Sequence, residues 1–169
     1  MTKLLMGLAA CVTAALAVAG SAAADGPVIV TQQLNATNVP LGPTCGAEPI
    51  MQSYTATRRV ESFFDGSTLV LQRRHVRLIE GTITLLSTGV SLPQAGDFTF
   101  TLDFTAQIGR VTGQQDHVVV PGGGGVLMRN SGLLVEDVSQ FPPEFLQEAG
   151  QHDFFDPGGL DQVCAALGA

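Results

Sequence analysis

Tryptophan is absent from this chain of 169 residues, and tyrosine and lysine each occur once. Cations are scarce: eight stand against fifteen acids, giving a net charge of −7. Such a balance repels nucleic-acid phosphates and anionic lipids, which excludes both as general partners. Catalytic signatures are missing as well. There is no Gly-x-Ser-x-Gly elbow, no H-E-x-x-H helix and no CxxC pair, so neither a serine hydrolase, a zinc protease nor a thiol redox motif can be read. The glycine run 122–125 after Pro121 lacks the Lys and Ser/Thr of a phosphate loop and precedes a strand pattern instead of a helix. It reads as a flexible connection. Beyond the first twenty residues no apolar run is long enough to cross a bilayer as a helix.

What the chain does have begins at its start. Lys3 supplies a positive charge, residues 4–19 are apolar or small, and Ala22-Ala23-Ala24 presents small residues where a signal peptidase cuts. The pattern predicts a signal peptide over 1–24, cleaved before Asp25, and an extracytoplasmic mature protein. Cys11 after Leu8-Ala9-Ala10 resembles a lipidation site, but a lipoprotein signal spends its apolar run before the cysteine and this run continues past it. An uncleaved anchor is disfavoured by the Ala/Gly-rich composition. Cleavage would remove the only lysine and leave seven arginines against fifteen acids, a net charge of −8. The remaining chain suits one domain, 25–169.

Cleavage would also remove Cys11. Cys45 and Cys164 then remain in an oxidising compartment, and a disulfide between them is expected to tie the start of the domain to its end.

The middle of the chain alternates with period two. Phe98, Phe100, Leu102 and Phe104 interleave with Thr99, Thr101, Asp103 and Thr105, the pattern of a strand with one buried face. Strands are expected over 28–33, 52–64, 68–80, 82–86, 97–106, 111–120, 126–130 and 133–136. Asp65-Gly66, Ser87-Thr88-Gly89, Gln94-Ala95-Gly96 and Pro121 with its glycines mark turns. No helical periodicity intervenes, so the fold class is mostly β: an antiparallel barrel of about eight strands, with a sandwich as the alternative. Phe141-Pro142-Pro143 ends the strand pattern, and 144–149 suits either a short strand or one helical turn. Asp156 as N-cap and Pro157 at the first helical position open a short C-terminal helix over 160–167. Leu160, Val163, Cys164 and Leu167 fall at i, i+3, i+4 and i+7, on one stripe of that helix.

Several segments carry a resemblance: Arg59-Val-Glu-Ser-Phe-Phe-Asp-Gly, Arg74-His-Val-Arg, Gly81-Thr-Ile-Thr, Val120-Pro-Gly-Gly-Gly-Gly-Val-Leu, Gly132-Leu-Leu-Val and Ala149-Gly-Gln-His. Together the chain resembles a family of small, uncharacterised exported β-rich proteins of actinobacteria and related soil bacteria. The resemblance implies a shared β-rich fold and brings no catalytic motif.

One cluster stands out as a candidate site. Arg73, His75 and Arg77 share parity in a strand and project from one face about 6.5 to 7 Å apart. Arg58 or Arg59 on the hairpin partner adds a further guanidinium, and Arg59 completes the candidate set. Such a row needs acids or a bound anion to neutralise it, and arginine forks suit carboxylate or phosphate. The competing structural reading pairs the row with Glu61, Glu80, Asp103 or Asp116. His75, His117 and His152 could in principle converge on a metal or act as acid and base, but nothing in their spacing requires it, and no metal or cofactor is expected. The Phe98, Phe100 and Phe104 stripe reads first as core and second as a pocket lining.

These features point to an exported module binding a small anionic or amphipathic molecule, with no nucleic-acid partner and no integral membrane segment in the mature chain. Two alternatives are an isomerase- or cyclase-like barrel enzyme without a covalent nucleophile, argued from architecture alone, and a cell-envelope protein acting through its surface. A buried titratable group in a cavity would favour the enzyme; a filled interior with an exposed apolar patch would favour the surface protein.

Overall fold

The computed structural model describes residues 26–154, 156 and 158–169. The expected signal segment 1–24, with Lys3 and Cys11, and Pro157 lie outside these residues. Seven strands run in chain order: β1 Val28–Cys45, β2 Glu48–Asp65, β3 Thr68–Thr84, β4 Ser91–Asp103, β5 Ile108–Val119, β6 Val126–Asp137 and β7 Glu144–His152. A helix, α1 Asp161–Leu167, follows. Each strand pairs antiparallel with its neighbours in sequence, making one sheet of order β1-β2-β3-β4-β5-β6-β7. β1 and β7 share no ladder, so the sheet is not closed.

Two sequence expectations of a break are continuous strands. The segments 68–80 and 82–86 belong to β3 up to Thr84, and 126–130 and 133–136 belong to β6. Gly81 and Ser131-Gly132 read as interruptions because glycine weakens a strand, yet here they sit inside ladders where the sheet bends. β1 runs twelve residues beyond its expected end at Gln33, through irregular register between Ala36 and Val39 and between Pro40 and Thr44. Residues 144–149 form the start of an edge strand and not a helical turn.

The sheet coils strongly. Cys45 of β1, Ile50 of β2, Ile83 of β3, Leu92 of β4, Val118 of β5 and Met128 of β6 all join one buried cluster. In a flat sheet five strand spacings would hold Cys45 and Met128 about 24 Å apart. Glycine makes the coiling feasible. Gly81, Gly96, Gly113, Gly132 and Gly150 occur once on each strand from β3 to β7, and a Cβ on any of them would stand 2.1 to 2.7 Å from a carbonyl oxygen of the adjacent strand. No side chain fits where the backbones approach this closely, and a line of such kinks lets the sheet roll up.

Helix α1 plugs one end of the rolled sheet. Val163 and Leu167 are fully buried against the cluster, and Leu160, Cys164 and Ala166 pack at its border. The Cys45–Cys164 disulfide ties α1 to β1, and the Thr88 hydroxyl donates to the Leu167 carbonyl at 2.7 Å from the β3–β4 turn. Leu160, not Asp156, occupies the cap position before the helix, without a side-chain hydrogen bond; Asp156 instead accepts from the Gly159 amide in the preceding turn. A helix of seven residues cannot hold itself together in water. Its two buried side chains and the disulfide hold it in place.

Candidate functional site

Above the plugged end, the concave side of the sheet holds a partly open groove of about 400 Å³. Its walls follow from strand parity. Arg74, Val76 and Leu78 of β3 point inward, opposite Phe100 and Phe98 of β4 and Arg58 of β2, with Leu34 of β1 and Val111 of β5 completing the apolar lining. The register sets Arg74 opposite Phe100 and Val76 opposite both Arg58 and Phe98. Towards the plugged end the lining becomes polar, with Gln52, Tyr54, Gln115 and Asp116.

Two guanidinium groups therefore face one mostly apolar groove. Among the described residues neither Arg58 nor Arg74 is in an ion pair. Arg58 donates through Nε and Nη2 to the Gln32 amide oxygen, at 2.9 and 2.6 Å. Arg74 donates through Nε to Gln72, and its guanidinium carbon lies 6.0 Å from the Phe100 ring centroid. Burial lowers the Arg74 pKa, and repulsion from Arg58 adds to the shift. Neutral amides orient these arginines without cancelling their charge. An anion in the groove would relieve both the desolvation and the repulsion.

The polar end is a hydrogen-bonded chain. Gln52 Nε2 donates to Gln94 Oε1 at 2.8 Å, Gln94 donates onward to Asp116, and Asn130 Nδ2 reaches the other Asp116 oxygen at 3.4 Å. Asn130 in turn accepts from the Phe154 amide at 2.9 Å. Burial raises the Asp116 pKa, and the hydrogen bonds from Asn130 and Gln94 offset part of that rise. Beside it, the buried Gln115 Nε2 has no hydrogen-bond partner.

The residues singled out by sequence sit elsewhere. Arg73, His75 and Arg77 do share a face, as their parity requires, but it is the outer face, and all three are exposed. Acids accompany them. Arg73 Nη1 and Arg59 Nη2 reach the two oxygens of Glu61 at 3.3 and 3.0 Å, and His75 Nε2 lies 2.7 Å from Asp97 Oδ1. Arg77 stands opposite Asp97 in the register. The row and the Phe98/Phe100 stripe thus face opposite sides of the sheet. Phe104, expected to continue the stripe, lies in the β4–β5 turn and is exposed. His75, His117 and His152 are on β3, β5 and β7, and among the described residues no three potential metal ligands come together.

Sequence reasoning did not single out Arg74 and named Arg58 only as an alternative to Arg59. A signal existed: Arg74 shares parity with Val76 and Leu78, which marks an arginine on an apolar face. Compared with protein-family models, curated proteins and solved structures, the chain matches none.

Proposed function

We propose that this is an extracytoplasmic binding protein whose concave groove takes a small amphipathic anion, with Arg58 and Arg74 on the anionic group and Val76, Leu78, Phe98 and Phe100 on the apolar body. The observation that carries this reading is a pair of arginines facing a mostly apolar groove, neither of them in an ion pair among the described residues. Two unpaired cations in a partly desolvated site are costly unless a ligand compensates them. The groove volume is that of a small-molecule site, and small barrel-like sheets of this size commonly hold one such ligand. The expected signal peptide and the Cys45–Cys164 bridge both fit an oxidising compartment.

The test is titration with anilinonaphthalene sulfonate, a fluorescent amphipathic anion, and with alkyl and aryl carboxylates competing against it. Arg74→Leu should weaken binding about tenfold or more, the scale of one charge-assisted hydrogen bond. Arg77→Leu on the outer face should change it little. The reverse ranking would move the anion site to the Arg73/His75/Arg77 row and refute the groove.

One observation favours a second reading. Asp116 is a titratable acid set into the groove with its pKa raised by burial, the feature that a proton-transferring cyclase or isomerase would need. Under that reading Asp116→Asn abolishes turnover of a groove ligand while leaving its binding measurable.

A further inference from the structure

The meander sends the β2–β3, β4–β5 and β6–β7 turns to the end of the sheet opposite α1. Loop tips ordinarily carry small polar residues, yet a phenylalanine faces solvent in or beside each of these three: Phe64, the last residue but one of β2, is 48% exposed, Phe104 38% and Phe141 96%. Phe145 and Leu146 at the start of β7, and Val28 and Ile29 at the start of β1, extend the same apolar rim. Among the described residues, every phenylalanine counted as exposed lies at this end. Five other large apolar residues are exposed elsewhere, Val39, Ile79, Leu86, Val90 and Val126, none of them aromatic, so it is the phenylalanines that concentrate at one end, and such a concentration marks an interaction site.

We infer that this open end docks onto a neutral, zwitterionic lipid surface, with Phe64, Phe104 and Phe141 as the inserting side chains. Spacing favours lipid over a protein partner. Successive tips are two strand spacings apart, about 10 Å, so the three rings rise from separate points along the rim. A protein interface concentrates its anchors in a central, jointly desolvated cluster. A fluid hydrocarbon layer closes around each ring independently. Charge selects the lipid class. Asp65, Asp103 and Glu144 adjoin Phe64, Phe104 and Phe145, and no lysine or arginine lies within 64–68, 103–107 or 138–146. Those acids repel phosphatidylserine- or phosphatidylglycerol-like surfaces and tolerate a zwitterionic one. Docking in this orientation stands on the tips alone and holds whatever occupies the groove.

The absence of tryptophan supplies the experiment. In the full chain, F64W, F104W and F141W each place a single indole at a tip, and V90W places one in the β3–β4 turn at the plugged end, where Val90 is exposed. Phosphatidylcholine vesicles brominated midway along the acyl chain quench an indole only when it enters the hydrocarbon. Residues 4–19 could hold the chain to vesicles on their own, so indole depth is read and not bulk binding. The tip indoles should shift to the blue and be quenched several times more than V90W. Adding F64S and F104S to F141W should cut its quenching at least tenfold at fixed lipid, since each lost ring removes about a tenfold partition factor. Introducing phosphatidylglycerol should weaken it further. Equal quenching at tips and at V90W, or none at the tips, overturns the inference. So does insertion that requires anionic lipid. A blue shift that appears without vesicles and grows with protein concentration overturns it in favour of a second copy.

Discussion

Gly132→Ala tests whether close backbone approach is what lets this sheet coil. Gly132 has φ of 135°, and its Cβ would fall 2.1 Å from the Ala149 carbonyl oxygen and 2.9 Å from the Gly150 Cα. Gly132 and Gly150 are partners in the β6–β7 ladder, and Gly150 is equally crowded, with Ser131 O at 2.2 Å from its own Cβ position. Every clashing atom is backbone, so relief requires β7 to move. Gly122→Ala is the matched control: φ is 81° and nothing lies within 4 Å of its Cβ. The control should lose about 1 kcal/mol, since a left-handed alanine costs roughly 1–2 kcal/mol and the stiffer unfolded chain returns part of it. At Gly132 overpacking adds about 1–3 kcal/mol, for a total of about 2–4 kcal/mol. Urea unfolding of both variants reads the difference as a shift in midpoint. A lower slope for Gly132→Ala would show β7 detaching in the native state. If Gly132→Ala costs no more than Gly122→Ala, the close approach does not constrain the fold and the account of the coiling is refuted.

Three further outcomes are expected. Replacing Cys45 and Cys164 by alanine frees a loop spanning a sequence separation of 119, which the chain-entropy model values at up to about 5 kcal/mol; a loss under about 1 kcal/mol in urea would show that α1 docks without its staple. Asp116 has a folded-state pKa raised above its ordinary 3.8, so its favourable contribution is complete below that value and is lost as pH rises through the folded pKa. The Tm of the wild type minus that of Asp116→Asn should therefore fall as pH rises above about 4, and a constant or rising difference would count against a buried, reluctantly ionised carboxyl. Removing Glu61, by Glu61→Gln, should cost under about 1 kcal/mol by thermal unfolding, because its partners Arg59 and Arg73 are exposed and water screens them. A larger loss would mean that the outer ion pairs support the fold.

Much of this protein is legible in its residues because the information is local. Phe98, Phe100 and Leu102 alternate with Thr99, Thr101 and Asp103, and the polypeptide can satisfy that alternation only as a strand with two unlike faces. Asp65-Gly66 turns the chain where it must, and two cysteines surviving the expected cleavage have one another to pair with. Parity also correctly groups Arg73, His75 and Arg77 on one side of β3 and Arg74, Val76 and Leu78 on the other. Local pattern cannot say which side turns inward. That depends on the direction of coiling, which arises where glycines on five different strands meet their neighbours' carbonyl oxygens and where α1 plugs one end. The same long-range contacts bring Asp116 of β5, Gln94 of β4 and Gln52 of β2 into one chain of hydrogen bonds. A cluster of charge in sequence therefore marked the exposed face, where Glu61 pairs with Arg59 and Arg73 and Asp97 meets His75. The unpaired arginines in the groove became visible only when five strands were rolled around them, because burial is a property of the assembled sheet and not of any one segment.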